Sequence, residues 1–228
     1  MSAGAGASHG APPVEAVIFD YGGVISVRFL GDLGRFEAEQ GYPPGSVREL
    51  MFGGPGDGVH DFHLLEMGRL PLADYLTGLT RRAPAVLGRP LDYDAYQRFM
   101  AASAVGVHWP VVHRIRGLRD DGVALALLTN NVREFGDTWR ATFPVDELFP
   151  LVVDSSEVGM RKPDPAIYQH TCALLAVRPD AAVFVDDVEE NVTAAAGVGL
   201  ETVHFGPDPR ASLADLDAIL ARRGVRTR

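Results

Sequence analysis

Residues 17–25 read VIFDYGGVI: three apolar residues, an aspartate and, after Tyr21, a two-glycine turn. A short run that is apolar on both faces marks a strand buried in a parallel sheet, where helices cover both sides. With its upstream neighbours this run spans residues 14–19. Residues 123–128, 182–185 and 202–205 have the same character, and 151–153 forms a weaker fifth. Helical patterns lie among them at 111–119, 163–176 and 188–197. Strand, helix, strand alternation predicts a doubly wound parallel α/β sheet.

The spacing is uneven. Roughly 100 residues separate the first strand from the second, where a crossover needs about a dozen. The interval predicts helices at 31–40, 47–51, 61–67, 72–82 and 93–105, joined by glycine and proline clusters such as GYPPG, GGPGDG and LGRP. The expected plan is a disordered lead at 1–13, a discontinuous core at 14–28 and 108–221, a mostly helical insertion at 29–107, and a frayed basic tail at 222–228.

Composition bounds the function. The chain has 228 residues, 46% of them hydrophobic, enough to bury a core. A formal charge of −9 argues against nucleic acid or an anionic membrane as partner. No apolar run approaches the ~18 residues of a bilayer span. The first residues lack the basic and apolar blocks of a signal peptide. The single cysteine, Cys172, sits in an apolar helical run and fits a buried thiol in a reducing compartment. The expectation is a cytoplasmic protein. Of 21 basic residues, 20 are arginine and one is lysine, Lys162.

Ligand sites in open parallel sheets lie at the carboxyl ends of the strands. Here those ends carry Asp20, then Thr129-Asn130-Asn131, then Asp186-Asp187, with Lys162 in GMRKPDPAIY just before a helix. Three carboxylates converging on one spot need a cation to stay ionised. Lys162 supplies one charge and Mg²⁺ would supply two more; hard oxygen ligands without histidine favour Mg²⁺ over zinc. An anionic substrate, phosphate above all, would complete such a site. Taken singly, each residue has a plainer reading: Asp187 as a helix cap, Thr129 as a turn former, Lys162 as a solvated charge. In a chain that otherwise uses arginine, a retained lysine suits a compact charge reaching between carboxylates and a phosphate oxygen.

In motif order FDYGGV, LLTNN, GMRKPDPAIY and VFVDDVEEN, the chain resembles the haloacid dehalogenase superfamily of hydrolases along its whole length. The resemblance implies a Rossmann-like core with a C1-type helical cap inserted after the first motif. It implies Asp20 as nucleophile forming an aspartyl-phosphate, with Tyr21 and Gly22 beside the phosphate. Thr129 and the Asn130 N–H would hold phosphate oxygens, and Lys162 would neutralise charge. For Mg²⁺ it implies Asp20, Asp186, Asp187 and the Gly22 carbonyl as ligands. The substrate class is a small phosphorylated metabolite.

One position departs from the pattern. Phosphatases of this family usually carry a second aspartate two residues after the nucleophile, which protonates the leaving oxygen and then activates water. Gly22 can do neither, and general acid–base help is worth about 10²–10⁴ in rate. Branches without that acid include dehalogenases, phosphonatases and cap-bearing proteins whose first motif reads Asp-x-Gly, as here. In the insertion, His60, His63 and Glu66 fall on one helix face and are candidates to bind substrate or shuttle a proton, or else simply form a solvated face. Two other classes stay open: a metal-free dehalogenase, which the acidic pair disfavours, and a degenerate member that binds a phosphorylated ligand without turnover.

Overall fold

The computed structural model describes residues 12–27, 33–54, 58–102 and 106–225. Most of the expected lead, the tail end 226–228, the first residues of the helix expected at 31–40, the end of that expected at 93–105 and part of GGPGDG lie outside them.

Five parallel strands form one sheet in the order β3-β2-β1-β4-β5. They are β1 (Ala16–Phe19), β2 (Ala124–Thr129), β3 (Leu151–Asp154), β4 (Ala182–Asp186) and β5 (Glu201–His204). The two faces of β1 explain why its sequence does not alternate in polarity. Val17 and Phe19 pack with α6 (Trp109–Asp120) and the C-terminal helix Pro209–Arg222 on one side. Ala16 and Ile18 pack with the helices Pro165–Leu175 and Glu189–Val198 on the other. With apolar cover on both sides, every residue of the strand is removed from water.

The insertion folds as helices: α1 (Leu33–Gln40), α2 (Ser46–Phe52), α3 (Asp61–Glu66), α4 (Leu72–Leu87) and α5 (Tyr93–Ala102). They enclose a second core of Phe36, Leu50, Leu65, Leu79 and Leu87, to which the loop after β2 adds Val132. α4 runs five residues past its expected end at 82. Ala83 and Leu87 are buried in this core, so packing carries the helix through Pro84 to Gly88, whose φ of 73° ends it. Entry and exit of the insertion lie side by side. Val27 N–H donates to the Gly106 carbonyl at 2.8 Å, and His108 N–H to the Ile25 carbonyl at 2.8 Å.

Short helices α7 (Gly136–Arg140), α8 (Val145–Leu148) and α9 (Ser155–Val158) interrupt the core between β2 and α10 (Pro165–Leu175). After α11 (Glu189–Val198), α12 (Pro209–Arg222) closes the fold. The tail is ordered further than expected from 222. Arg222 ends α12, and Arg223 pairs with Glu201 and donates to the Pro12 carbonyl at 2.7 Å. No helix among the described residues is long and apolar enough to cross a membrane.

Candidate active site

Strand order sets the site. β1 lies between β2 and β4, so the residue after β1 emerges between the tips of its two neighbours, where the chain reverses its direction of winding. The register pairs Phe19 with both Leu127 and Val185, and Asp20 N–H donates to the Val185 carbonyl at 2.9 Å. Asp20 therefore stands level with the end of β4. Carboxylate oxygens of Asp20, Asp186 and Asp187 lie within 4.8 Å of one another, and all three residues are buried.

Lys162 is 1% exposed and bridges this cluster, with Nζ 2.7 Å from Asp20 Oδ1 and 2.6 Å from Asp186 Oδ2. Its backbone is pinned by a reciprocal pair: Lys162 N–H donates to Asn130 Oδ1 at 2.9 Å, and Asn130 Nδ2 donates to the Lys162 carbonyl at 3.0 Å. The Asn130 side chain thus ties the tip of β2 to the lysine loop. Asp186 also accepts from Val188 N–H at 2.8 Å and from Asn191 Nδ2 at 3.1 Å, which fixes its rotamer. Burial pushes the Asp20 pKa up to about 7, against the Lys162 charge and with help from Asp186 and Asp187. Burial alone would lower the Lys162 pKa, but Asp186 and Asp20 outweigh it and hold it above its ordinary value.

The two glycines of the opening turn are not equivalent. Gly23 has φ 81°, and a Cβ there would lie 2.2 Å from Asp187 Oδ2, so only glycine lets the turn approach the acid so closely. At Gly22 a Cβ would meet nothing within 4 Å, and φ is not positive. Gly22 is permitted rather than required.

Thr129 ends β2 and is buried beside Asn130. Tyr21 is not brought to the cluster by its side chain: the ring packs against Trp139 and Phe143, and its hydroxyl lies 3.0 Å from Thr142 Oγ1. In the insertion, His60 and His63 cap the start of α3, with Phe62 N–H donating to His60 Nδ1 at 3.1 Å and His60 N–H to His63 Nδ1 at 3.4 Å. Burial, together with the Arg161 and His60 charges, lowers the His63 pKa. Glu66 is the member of the trio that reaches the core. It is buried and accepts from Arg161 Nε at 2.8 Å, while its carbonyl accepts from Ser155 Oγ at 2.6 Å. Burial raises the Glu66 pKa against the opposing Arg161 and Lys162 charges.

Sequence reasoning missed Arg161, took Asn191 only as the end of the VFVDDVEEN motif, and read His204 as an ordinary strand residue. His204 Nε2 lies 3.2 Å from the Asp187 carbonyl. Asn191, five residues after Asp186 and in the first turn of α11, carried the one available signal, its place in the VFVDDVEEN motif. The Glu66–Arg161 pair spans 95 positions and has no local signature.

The model of the haloacid dehalogenase-like hydrolases matches residues 14–199. Over 209 residues the chain is 28% identical to mouse acyl-CoA dehydrogenase family member 10, covering 90% of this chain and 19% of that protein. It is 26% identical over 176 residues to mouse bifunctional epoxide hydrolase 2, covering 75% and 30%. The chain thus spans between a fifth and a third of the length of these two relatives. A phosphoglycolate phosphatase of Pseudomonas putida is 29% identical over 194 residues, covering 72% of this chain and 71% of the other. Among solved structures, a HAD family enzyme of Bacteroides thetaiotaomicron, in complex with magnesium and inorganic phosphate, superposes with a TM-score of 0.60 at 21% identity, covering 83% of this chain and 92% of that one. A HAD family hydrolase of Deinococcus radiodurans with bound phosphate and sodium gives 0.63 at 21% identity, covering 95% and 98%. Both show the same fold, a five-stranded parallel sheet with helices inserted after β1, and the insertion is consistent with a C1 cap. With a family match across most of its length and three buried acids gathered at its strand tips, the chain belongs to the haloacid dehalogenase-like hydrolases.

Proposed function

We propose that the protein is a phosphomonoester hydrolase acting on a small phosphorylated metabolite, with Asp20 as nucleophile. The observation that carries this reading is the Lys162 ammonium bridging Asp20 and Asp186 within a buried cluster of three carboxylates. The similarity to a phosphoglycolate phosphatase and to folds solved with phosphate supports the same substrate class.

An oxygen of Asp20 attacks phosphorus, the ester P–O bond breaks, and an aspartyl-phosphate forms as the alcohol leaves. Water then attacks that phosphorus, and phosphate departs as the Asp20 carboxylate is restored. Thr129 Oγ1 and the Asn130 N–H bind phosphoryl oxygens, and Lys162 offsets the charge gathered between nucleophile and phosphate. The Asn130 side chain holds the lysine loop, so its amide acts on position rather than on substrate. Gly22 offers no proton, so the leaving oxygen takes one from water. The first motif, Asp20-Tyr21-Gly22-Gly23, supports reading the chain as a member of the Asp-x-Gly-Gly branch, with residues 29–107 as the cap and 14–28 and 108–221 as the core.

The donors fit Mg²⁺. Three carboxylates and one ammonium leave an excess of two negative charges among these four groups, and every donor is a hard oxygen. Asp20, Asp186, Asp187 and the Gly22 carbonyl would hold the ion, which when bound neutralises that excess and polarises the phosphoryl group.

The test is hydrolysis of a generic aryl phosphate with and without Mg²⁺, alongside Asp20→Asn. The expected result is loss of activity on chelation and a fall of about 10⁴-fold or more in Asp20→Asn. Activity that survives either change rules out the mechanism. One observation favours a second reading, a protein that binds a phosphorylated ligand without turnover: the absence of an acid at Gly22. Inactivity across a broad panel of phosphomonoesters would select it.

A further inference from the structure

A cavity of about 250 Å³ opens between the insertion and the loop that follows β2. The insertion contributes Leu65, Leu76, Tyr96 and Met100 among others, and the core contributes Val132 and Phe135. Among the described residues no charged side chain lines it. Its polar groups are tyrosine hydroxyls and the Gln97 amide, and the Tyr75 hydroxyl is already committed to the Met51 carbonyl at 2.8 Å. Burial raises the pKa of Tyr96 to about 12, as a surrounding that disfavours charge requires.

The cavity adjoins the catalytic cluster by chain continuity. Val132 follows Asn130 by two residues, so their Cα atoms lie within about 7.6 Å of each other. From the insertion, the lining residue Leu65 precedes Glu66, whose carboxylate is held by Arg161, the residue before Lys162. The Glu66 charge bears on Tyr75, a lining residue, and the Lys162 charge bears on Glu66. The apolar chamber and the catalytic lysine therefore flank one carboxylate.

We infer that this chamber holds the leaving group of the substrate and that the substrate is an amphiphile: a phosphomonoester with an apolar body, such as an unbranched alkyl or isoprenoid-like chain. The inference rests on the phosphatase reading only for the chemistry at Asp20; the preference for an apolar body rests on the chamber. At about 30 Å³ per water-sized volume it accommodates about eight heavy atoms. A polar metabolite of that size would leave its hydroxyls or carboxylates against Leu76, Met100 and Val132 without partners. Each methylene moved from water into the chamber gains about 4-fold in affinity until the space is full.

The test pairs a binding measurement with a kinetic one. In calorimetry with Mg²⁺, octylphosphonate is expected to bind at least 100-fold more tightly than methylphosphonate. Met100→Trp, which fills the chamber, and Leu76→Gln, which adds a polar group to it, are each expected to cut that ratio at least 10-fold. Equal affinities for the two phosphonates in the wild-type protein overturn the inference, whatever the variants do. In parallel, kcat/KM is measured for methyl and octyl phosphate. Tighter binding of octylphosphonate without hydrolysis of either ester overturns the phosphatase reading and leaves the chamber assignment standing. Hydrolysis of both esters at equal kcat/KM, with equal phosphonate affinities, does the reverse. Failure of both phosphonates to bind overturns both.

Discussion

In the helical insertion, the buried Glu37 accepts hydrogen bonds from the backbone N–H groups of Gly45 and Val47, at 2.7 and 2.9 Å, and so fixes the turn into α2. At the strand tips, Asp20 and Asp186 share the Lys162 ammonium with Asp187 alongside, and burial lifts the Asp20 pKa to about 7. Both regions bury acids. In the first, two fixed donors serve one carboxylate, and the carboxylate shapes the backbone. In the second, one ammonium stands among three carboxylates, and Asp186 also accepts from Val188 N–H and Asn191 Nδ2.

The largest expected effect tests the core side of that contrast. In buffer free of divalent cations, Lys162→Met leaves Asp20 and Asp186 facing each other, and breaking a buried pair in this way costs about 3–5 kcal/mol. Chemical denaturation measures it. A loss below about 1 kcal/mol would mean that the cluster does not depend on its lysine.

The next effect separates the two glycines. Position 22 has room for a side chain, so Gly22→Asp is expected to raise kcat on an aryl phosphate by about 10²-fold, the lower end of general acid–base help. Gly23→Ala drives a methyl group into Asp187 in a left-handed backbone and is expected to lose both activity and stability. If Gly22→Asp leaves the rate unchanged, proton transfer does not limit turnover.

A smaller effect probes the insertion side. Glu66→Gln keeps an acceptor but removes the charge that meets Arg161, and is expected to lower stability by about 1–3 kcal/mol while kcat stays within about tenfold. A fall of 10²–10⁴ in kcat at unchanged stability would instead make Glu66 the proton source.

The smallest effect is a pH dependence. Burial raises the Cys172 pKa from 9.0 to about 11, so folding favours the thiol. Its contribution to stability is whole below pH 9 and is lost as pH rises through about 11. Cys172→Ala is expected to flatten that stretch of the alkaline denaturation curve.

Much of this was legible in the sequence because the signals are local. β1, β2 and β4 announce themselves by apolar residues on both faces, and the sheet delivers to one edge whatever ends its strands. Asp20, Thr129 and Asp186 could therefore be grouped before any coordinates. The insertion was legible as an interval too long for a crossover. Features that depend on distant neighbours were not legible. Gly22 and Gly23 look alike in a sequence, and only the approach of Asp187 separates them. Tyr21 sits beside the nucleophile in the chain, yet strand alternation and the Trp139–Phe143 pocket turn its ring away. Glu66 read as one of three equivalent candidates because its partner, Arg161, lies in another motif. The end of α4 was set by the second core rather than by local propensity.

The insertion enters and leaves at one hydrogen-bonded neck, where Val27 meets Gly106 and Ile25 meets His108. Since the chain ends there already lie side by side, bridging them with a short turn should cost little loop-closure entropy. The helical insertion is thus joined to the chain of the sheet at a single neck, and the sheet need not be rebuilt when the insertion is shortened or exchanged.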